Sequence, residues 1–311
     1  MILKVLGSAA GGGFPQWNCS CPNCAGLRAR TLPAKPRTQS QLALSPALGL
    51  WVLIGASPDL RTQIVANSEL SPSRPDPGRS PIVAVFLPSA DVDAVMGLLH
   101  LREFQSFVVL STAAVRRILC DHNSLFRVLN RATPRVNWLE FSVDQPAPFY
   151  LPGCQDTRPA FRFTAVSVGG NYPDYAGENG DCAAAADQSN VGFVIEQDEK
   201  KVFIAPSWSA MSPTCYKHAT AADIALVDGT FWSDTELLAT GRTQKTAREM
   251  GHLPLSGPDG LLALYPREAR GRKILIHINN TNPILDETSA EYQAVLEAGF
   301  EIAYDGLTID L

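Results

Sequence analysis

Residues 81–87, Pro-Ile-Val-Ala-Val-Phe-Leu, are apolar at every position and stop at a polar loop holding two acids two residues apart, Asp91 and Asp93. A strand apolar on both faces has to be covered on both faces, which points to a layered α/β fold rather than to a sheet with one wet side. Val92, Val95, Met96 and Leu99 recur at helical spacing, so an amphipathic helix is predicted directly after the acids. Strands that deliver carboxylates from their C-terminal ends onto a helix start are a common way for α/β enzymes to hold a metal or a phosphate. At this position Asp93 also reads as a helix cap, accepting the orphan backbone N–H groups of the first turn.

Two later runs repeat the arrangement. Residues 224–228 are apolar up to Asp228, and residues 274–283 read Ile-Leu-Ile-His-Ile-Asn-Asn-Thr-Asn-Pro, an apolar strand with His277 and a polar tail at its end. Three strands ending in Asp91/Asp93, Asp228 and His277 form a constellation. Oxygen ligands with one or two imidazoles suit zinc, iron or manganese. His252, after a helix and Gly251, reads as a C-cap neighbour, a ligand or an acid–base group. His100 and His122 fall near helix ends and His218 in a loop, and these three read as structural.

Further strands are predicted at 2–6, 42–44, 50–54, 107–110, 136–141 and 161–168, with a hairpin over 191–205 and helices after Pro58 and over 112–122. The 42–44 strand is expected to break near Ser45-Pro46. The glycine loop 7–13 has no Gly-Lys-Ser/Thr ending and is not a P-loop. Residues 68–80 read as a surface connection, and 169–188, carrying Asn171-Tyr172-Pro173-Asp174-Tyr175, as a long loop at the mouth of any site.

Seven cysteines occur, and Cys19, Cys21 and Cys24 are packed as C-x-C-x-x-C in the loop 14–24. Three thiolates this close converge on one ion at small loop-closure cost, and soft sulfur favours zinc in a closed tetrahedral site. The fourth ligand has to come from elsewhere, with Asp305 or a side chain between Asn279 and Asn282 as candidates. The other four cysteines are scattered singly, so no disulfide framework is expected.

With 311 residues and 45% hydrophobic content, one domain spanning 1–311 with a sizeable core is expected. Net charge is −5 and there is no dense Lys/Arg run, which argues against nucleic-acid or anionic-membrane binding. No segment is apolar long enough to span a bilayer, so the chain is expected to be cytoplasmic, with no membrane insertion.

Residues 6–19 (Leu-Gly-Ser-Ala-Ala-Gly-Gly-Gly-Phe-Pro-Gln-Trp-Asn-Cys), 56–61, 97–99, 248–253 and 276–283 resemble, in this order, the metallo-β-lactamase superfamily and within it the coenzyme PQQ synthesis protein B family. The resemblance implies an α/β (α+β) αββα sandwich, two mixed sheets face to face with helices outside and a metal cleft along one edge. It also shows a departure. The superfamily's H-x-H-x-D-H motif falls on Ser89, Asp91, Asp93 and Ala94, so only Asp93 matches, and its next histidine would fall near Gly169 or Gly170. Asp228, His252 and His277 occupy the bridging-acid, glycine-histidine and last-strand positions.

A dinuclear hydrolytic site needs more ligands than these. The resemblance instead implies a single cleft ion, Fe2+, held by Asp91, Asp93, Asp228 and His277, with His252 and Asp93 in catalysis. The implied step is hydroxylation of the tyrosine ring of a Glu-Tyr precursor of pyrroloquinoline quinone (PQQ). The alternative is a carrier that helps PQQ or its precursor toward the periplasm. An acidic, aromatic substrate calls for guanidinium forks from Arg61, Arg102 or Arg248, for stacking on Trp17, and for orientation by Asn279 and Asn282. A small peptide or amino-acid-derived precursor is thus the expected partner, and a homodimer is compatible with this reading.

Overall fold

The computed structural model describes all residues except 48, 73–79, 104, 131–134, 153–157, 177–185 and 242. Its strands are β1 (Ile2–Gly7), β2 (Gln41–Ala47), β3 (Leu50–Ile54), β4 (Ile82–Phe86), β5 (Phe107–Ser111), β6 (Val136–Glu140), β7 (Ala147–Phe149), β8 (Phe161–Ser167), β9 (Val191–Gln197), β10 (Lys200–Ala205), β11 (Ile224–Asp228), β12 (Arg272–Ile276), β13 (Phe300–Ile302) and β14 (Thr308–Asp310). The helices are α1 (Pro22–Ala29), α2 (Leu60–Ala66), α3 (Val92–Val95), α4 (Ala113–Cys120), α5 (Pro213–Ala221), α6 (Leu261–Leu264) and α7 (Ala290–Glu297).

The strands form two seven-stranded sheets, ordered β14-β1-β2-β3-β4-β5-β6 and β13-β12-β11-β10-β9-β8-β7. Each is antiparallel at one end and parallel at the other: β3 to β6 run parallel in the first, β10 to β13 in the second. This is the two-mixed-sheet sandwich that the sequence implies. Side-chain alternation explains why the sheets stack. On β11, Ile224 and Leu226 face the layer between the sheets, while Ala225 and Val227 face the outer layer. On β4, Phe86 points between the sheets and Ile82 and Val85 point outward. Phe86 meets Phe149, Phe163 and Phe193 edge-on at 4.9–5.6 Å, so one aromatic cluster pins the two sheets together.

Three elements differ from the sequence reading. The amphipathic helix after Asp91 is short: α3 ends at Val95 and 3-10 turns run on from Met96 to Arg102. Ala56 causes this, because its N–H bonds to Ala94 O at 2.7 Å and its carbonyl accepts from Gly97 N at 2.7 Å, diverting groups an α-helix would pair internally. Gly97 is required there, since a Cβ would stand 2.3 Å from Ser57 O. Strand β2 does not break at Ser45-Pro46 but runs to Ala47 with a register irregularity between Leu44 and Ala47. His218 lies on α5 rather than in a loop. Most of the 68–80 connection and the middle of the 169–188 loop, with Cys182, fall outside the described residues, as does Cys154. No helix among the described residues is long and apolar enough to cross a membrane.

Candidate metal centre

Each sheet sends loops to one edge, where the C-terminal ends of β4, β11 and β12 face a cleft of about 720 Å³. Asp228, the last residue of β11, is buried, and both of its oxygens are engaged. Oδ1 accepts from Thr230 N at 2.9 Å and from Thr230 Oγ1 at 2.6 Å. Oδ2 accepts from Trp208 N at 2.9 Å and stands 2.8 Å from His252 Nδ1. His252 is delivered by a turn in which Gly251 takes φ +85° and His252 N bonds to Ala247 O. His277 leaves β12 with φ +61°, a left-handed backbone that a non-glycine residue adopts at a cost. Its Nε2 lies 3.1 Å from Asp93 Oδ2, and its ring stacks on that of His252 with centroids 5.3 Å apart.

Ligand atoms of Asp228, His252 and His277 all lie within 4.8 Å of one another. Asp93 faces the same group from the other sheet, which is the role it takes instead of capping: the N-cap position of α3 is Asp91, and no side chain caps that helix. Asp91 lines the cleft but gives one oxygen to Ser89 Oγ at 2.7 Å. Two imidazoles and two carboxylates fit a single ion with open positions.

The electrostatics agree. Burial raises Asp228 and Asp93, but the charge and hydrogen bond of His252 on the first, and the hydrogen bond and charge of His277 on the second, outweigh it and hold both below the usual carboxylate range. Burial lowers His277, yet its bond to Asp93 and the surrounding acids hold it above the usual value. Asp91 is raised, by burial and then by the charge of Asp93.

These directions fix a pH window for metal-free protein. A depressed carboxylate stabilises the fold above its unfolded value near ~4 and loses that contribution as pH falls through its folded pKa. A raised histidine stabilises below ~6.5 and loses the contribution as pH rises through its folded pKa. Metal-free protein is therefore expected to melt highest between about pH 4 and 6.5, with added zinc removing the alkaline decline. Thermal melts across pH 4–9 test this, and a metal-free stability that keeps rising above pH 6.5 contradicts it.

The remaining candidates separate. Asn279 lines the cleft, and its Nδ2 donates to Thr281 Oγ1 at 2.6 Å. Asn282 does not reach the cleft: it is buried, donating to Gly229 O and Thr230 O and accepting from Ile284 N, so it supports the loop. Trp17 is 84% exposed and lies outside the cleft lining, so it neither packs in the core nor stacks on a ligand there. Arg61 and Arg248 are exposed and also outside the lining; Arg248 donates to Asp259 O. Arg102 bonds Leu99 O and pairs with Glu103. Among the described residues, the Lys or Arg that lines the cleft is Lys245, in a segment with no strand or helix pattern to mark it. Tyr172 and Tyr175 wall the mouth, as expected of the 169–188 loop. Glu236, whose carboxyl burial pushes up to about 7, bonds to Thr281 behind Asn279.

The three loop cysteines form a second cluster. Cys19 and Cys24 are buried and Cys21 half-buried, at the N-cap of α1. Arg28 ties the loop down by donating to Gln16 O and Cys19 O. The Asn280 side-chain amide lies 3.1, 3.6 and 3.4 Å from the sulfurs of Cys19, Cys21 and Cys24. A side chain from 279–282 thus reaches the cluster, and the amide's two ends are interchangeable by a flip that presents Oδ1 to an ion. Asp305 does not reach it, because its carboxylate accepts from Ser8 Oγ, Thr38 N and Thr38 Oγ1. Burial, then the neighbouring Cys21, pushes the Cys24 thiol up to about 11, so this thiol keeps its proton in the absence of metal and releases it to solvent when an ion binds the sulfur.

Comparison with known proteins gives concordant matches. The family model of the beta-lactamase superfamily domain matches residues 50–278. Coenzyme PQQ synthesis protein B of Pseudomonas paraeruginosa is 41% identical over 313 residues, covering 100% of both chains. The protein of that name from Methylococcus capsulatus is 41% identical over 316 residues at the same coverage. Among solved structures, Zn(2+)-bound PqqB from Methylobacterium extorquens matches with TM-score 0.88 and 36% identity over 100% of both chains. A diphosphatase of the PhnP family matches with TM-score 0.64 and 17% identity, covering 100% of this chain and 97% of its own, and shares the fold alone.

Proposed function

Because this chain belongs to the coenzyme PQQ synthesis protein B family of the beta-lactamase superfamily, we propose that it acts in PQQ biosynthesis as an iron-dependent hydroxylase of the tyrosine ring of a Glu-Tyr precursor. The observation that carries this reading is the donor set: His252, His277 and Asp228 converge, with Asp93 against His277 from the other sheet, while Ser89 and Ala94 stand where a dinuclear hydrolytic site has histidines. Such a set holds one ion and leaves positions open for two further groups. A ferrous ion held there would supply activation of dioxygen, with one oxygen atom going to the ring and the other leaving as water at the expense of an external reductant.

The chain's own residues then have distinct tasks. Asp228 and His277 bind the ion, with Asp93 closing the set from the opposite sheet and His252 completing it in place of an acid–base role. Phe231, Tyr172 and Tyr175 give the substrate ring an apolar wall and limit water. Lys245 takes the part expected of Arg61 and Arg248, holding a substrate carboxylate as a point charge. The three cysteines, with Asn280, hold a structural zinc.

Iron-loaded protein incubated with Glu-Tyr, a reductant and oxygen is expected to yield a product one oxygen atom heavier by mass spectrometry. Lys245→Ala is expected to raise KM about two- to fivefold with kcat little changed, as loss of one exposed ion pair does. No product from protein shown to hold iron, together with measurable PQQ binding, would favour a carrier instead.

A further inference from the structure

We propose that Thr230 is a positioning residue that fixes His277 as an Nε2 donor and links it to Asp228 through one hydroxyl. Thr230 lies two residues beyond the end of β11 and is 2% exposed. Its Oγ1 is 2.6 Å from Asp228 Oδ1, 2.9 Å from the His277 carbonyl oxygen and 2.8 Å from His277 Nδ1. A hydroxyl has one proton to give and lone pairs to receive. The carboxylate and the carbonyl are acceptors only, so the hydroxyl proton goes to one of them. The contact with Nδ1 is then made by an Oγ1 lone pair, and Nδ1 carries the hydrogen.

This assignment sets the chemistry of the ring. With Nδ1–H donated to Thr230, Nε2 is the nitrogen left for an ion, which displaces the hydrogen that Nε2 otherwise donates to the Asp93 carboxylate across the cleft. The same threonine steadies the left-handed backbone of His277, because its hydroxyl meets the His277 carbonyl and its own carbonyl accepts from Asn279 N at 3.1 Å. One buried side chain thus determines tautomer, ring direction and backbone conformation for one ligand while hydrogen-bonding another. Partners of this kind behind a ligand are worth about 10–100-fold in metal affinity.

The inference rests on the reading of the cleft as a metal site and not on the reaction proposed there, so absence of hydroxylation leaves its test intact. The full-length protein is labelled with 15N at histidine; it has five, and His277→Gln identifies the ring of interest. In Zn2+-loaded wild type, His277 is expected to show the Nδ1–H form with Nε2 bound to the ion. Thr230→Val is expected to lose that preference and to bind Zn2+ at the cleft about 10–100-fold more weakly in a competition titration, with His277→Ala as the zero for cleft binding. Thr230→Ser, which keeps the hydroxyl, is expected to remain within about threefold of wild type. A zinc-loaded wild type whose His277 binds through Nδ1, with the hydrogen on Nε2, overturns the proposal even if Thr230→Val fails to fold. So does a Thr230→Val protein with wild-type tautomer and affinity, or a serine variant as impaired as the valine one.

Discussion

Alanine at His277 is expected to lower the cleft's affinity for iron or zinc by more than about 100-fold, beyond what losing a partner behind a ligand produces. The same change at Asp91 is expected to cost less than about tenfold. The difference is geometric. His277 Nε2 is aimed at Asp93, its other nitrogen is held, and its ring is stacked on His252. Asp91 is occupied with Ser89, and its carboxyl is raised by burial and by Asp93, which favours the protonated, non-ligating form. Metal affinity of the two variants, measured by competition, decides the order, and an Asp91→Ala loss equal to that of His277→Ala would reverse it. Asp228 is a poorer test. Its removal would also leave the buried amides of Trp208 and Thr230 without acceptors and so cost folding stability in its own right.

Cys21→Ser is expected to lower zinc content and stability together, by about 4 kcal/mol, the scale on which loss of a metal site stands out among single substitutions. For a domain of this size that corresponds to a fall in Tm of roughly 6 °C. The cluster closes a loop of the first 30 residues onto the segment that follows β12, so the ion contributes to tertiary structure and not merely to a local turn. Zinc analysis and calorimetry on the same sample check this. A variant with wild-type Tm and reduced zinc would mean that the sulfur site carries no folding energy.

The strand ends that carry Asp228 and His277 were legible because their runs are apolar on both faces, which only a doubly covered strand explains. Asp93 was legible as a strand-end acid, although spacing could not separate a cap from a ligand; the answer depends on an imidazole 184 residues away. His252 was ambiguous for the same reason, its partner being Asp228 at the end of a different strand. Arg61, Arg248, Trp17 and Asn282 were misplaced because residue type shows what a side chain can bind and not which way its element faces. Lys245 and Thr230 carry no local signal at all. A lysine in an irregular segment and a threonine after a strand are ordinary, and only the convergence of loops from both sheets gives them a task. The helix after Asp91 was overestimated because periodicity is blind to Ala56, a distant residue that takes the hydrogen bonds the helix would have used.

Asn280, whose amide rests on the three sulfurs, lies only three positions after His277, whose ring faces the cleft. The stretch 277–280 is therefore a shared hinge pin, with one end at each candidate ion site and too short to absorb a displacement of either. Chelation and loading at the two places are not independent events: an agent that strips the sulfur cluster loosens an imidazole it never touches. Zinc loss at the sulfur cluster would then be felt in the cleft, at a distance of three residues along the chain.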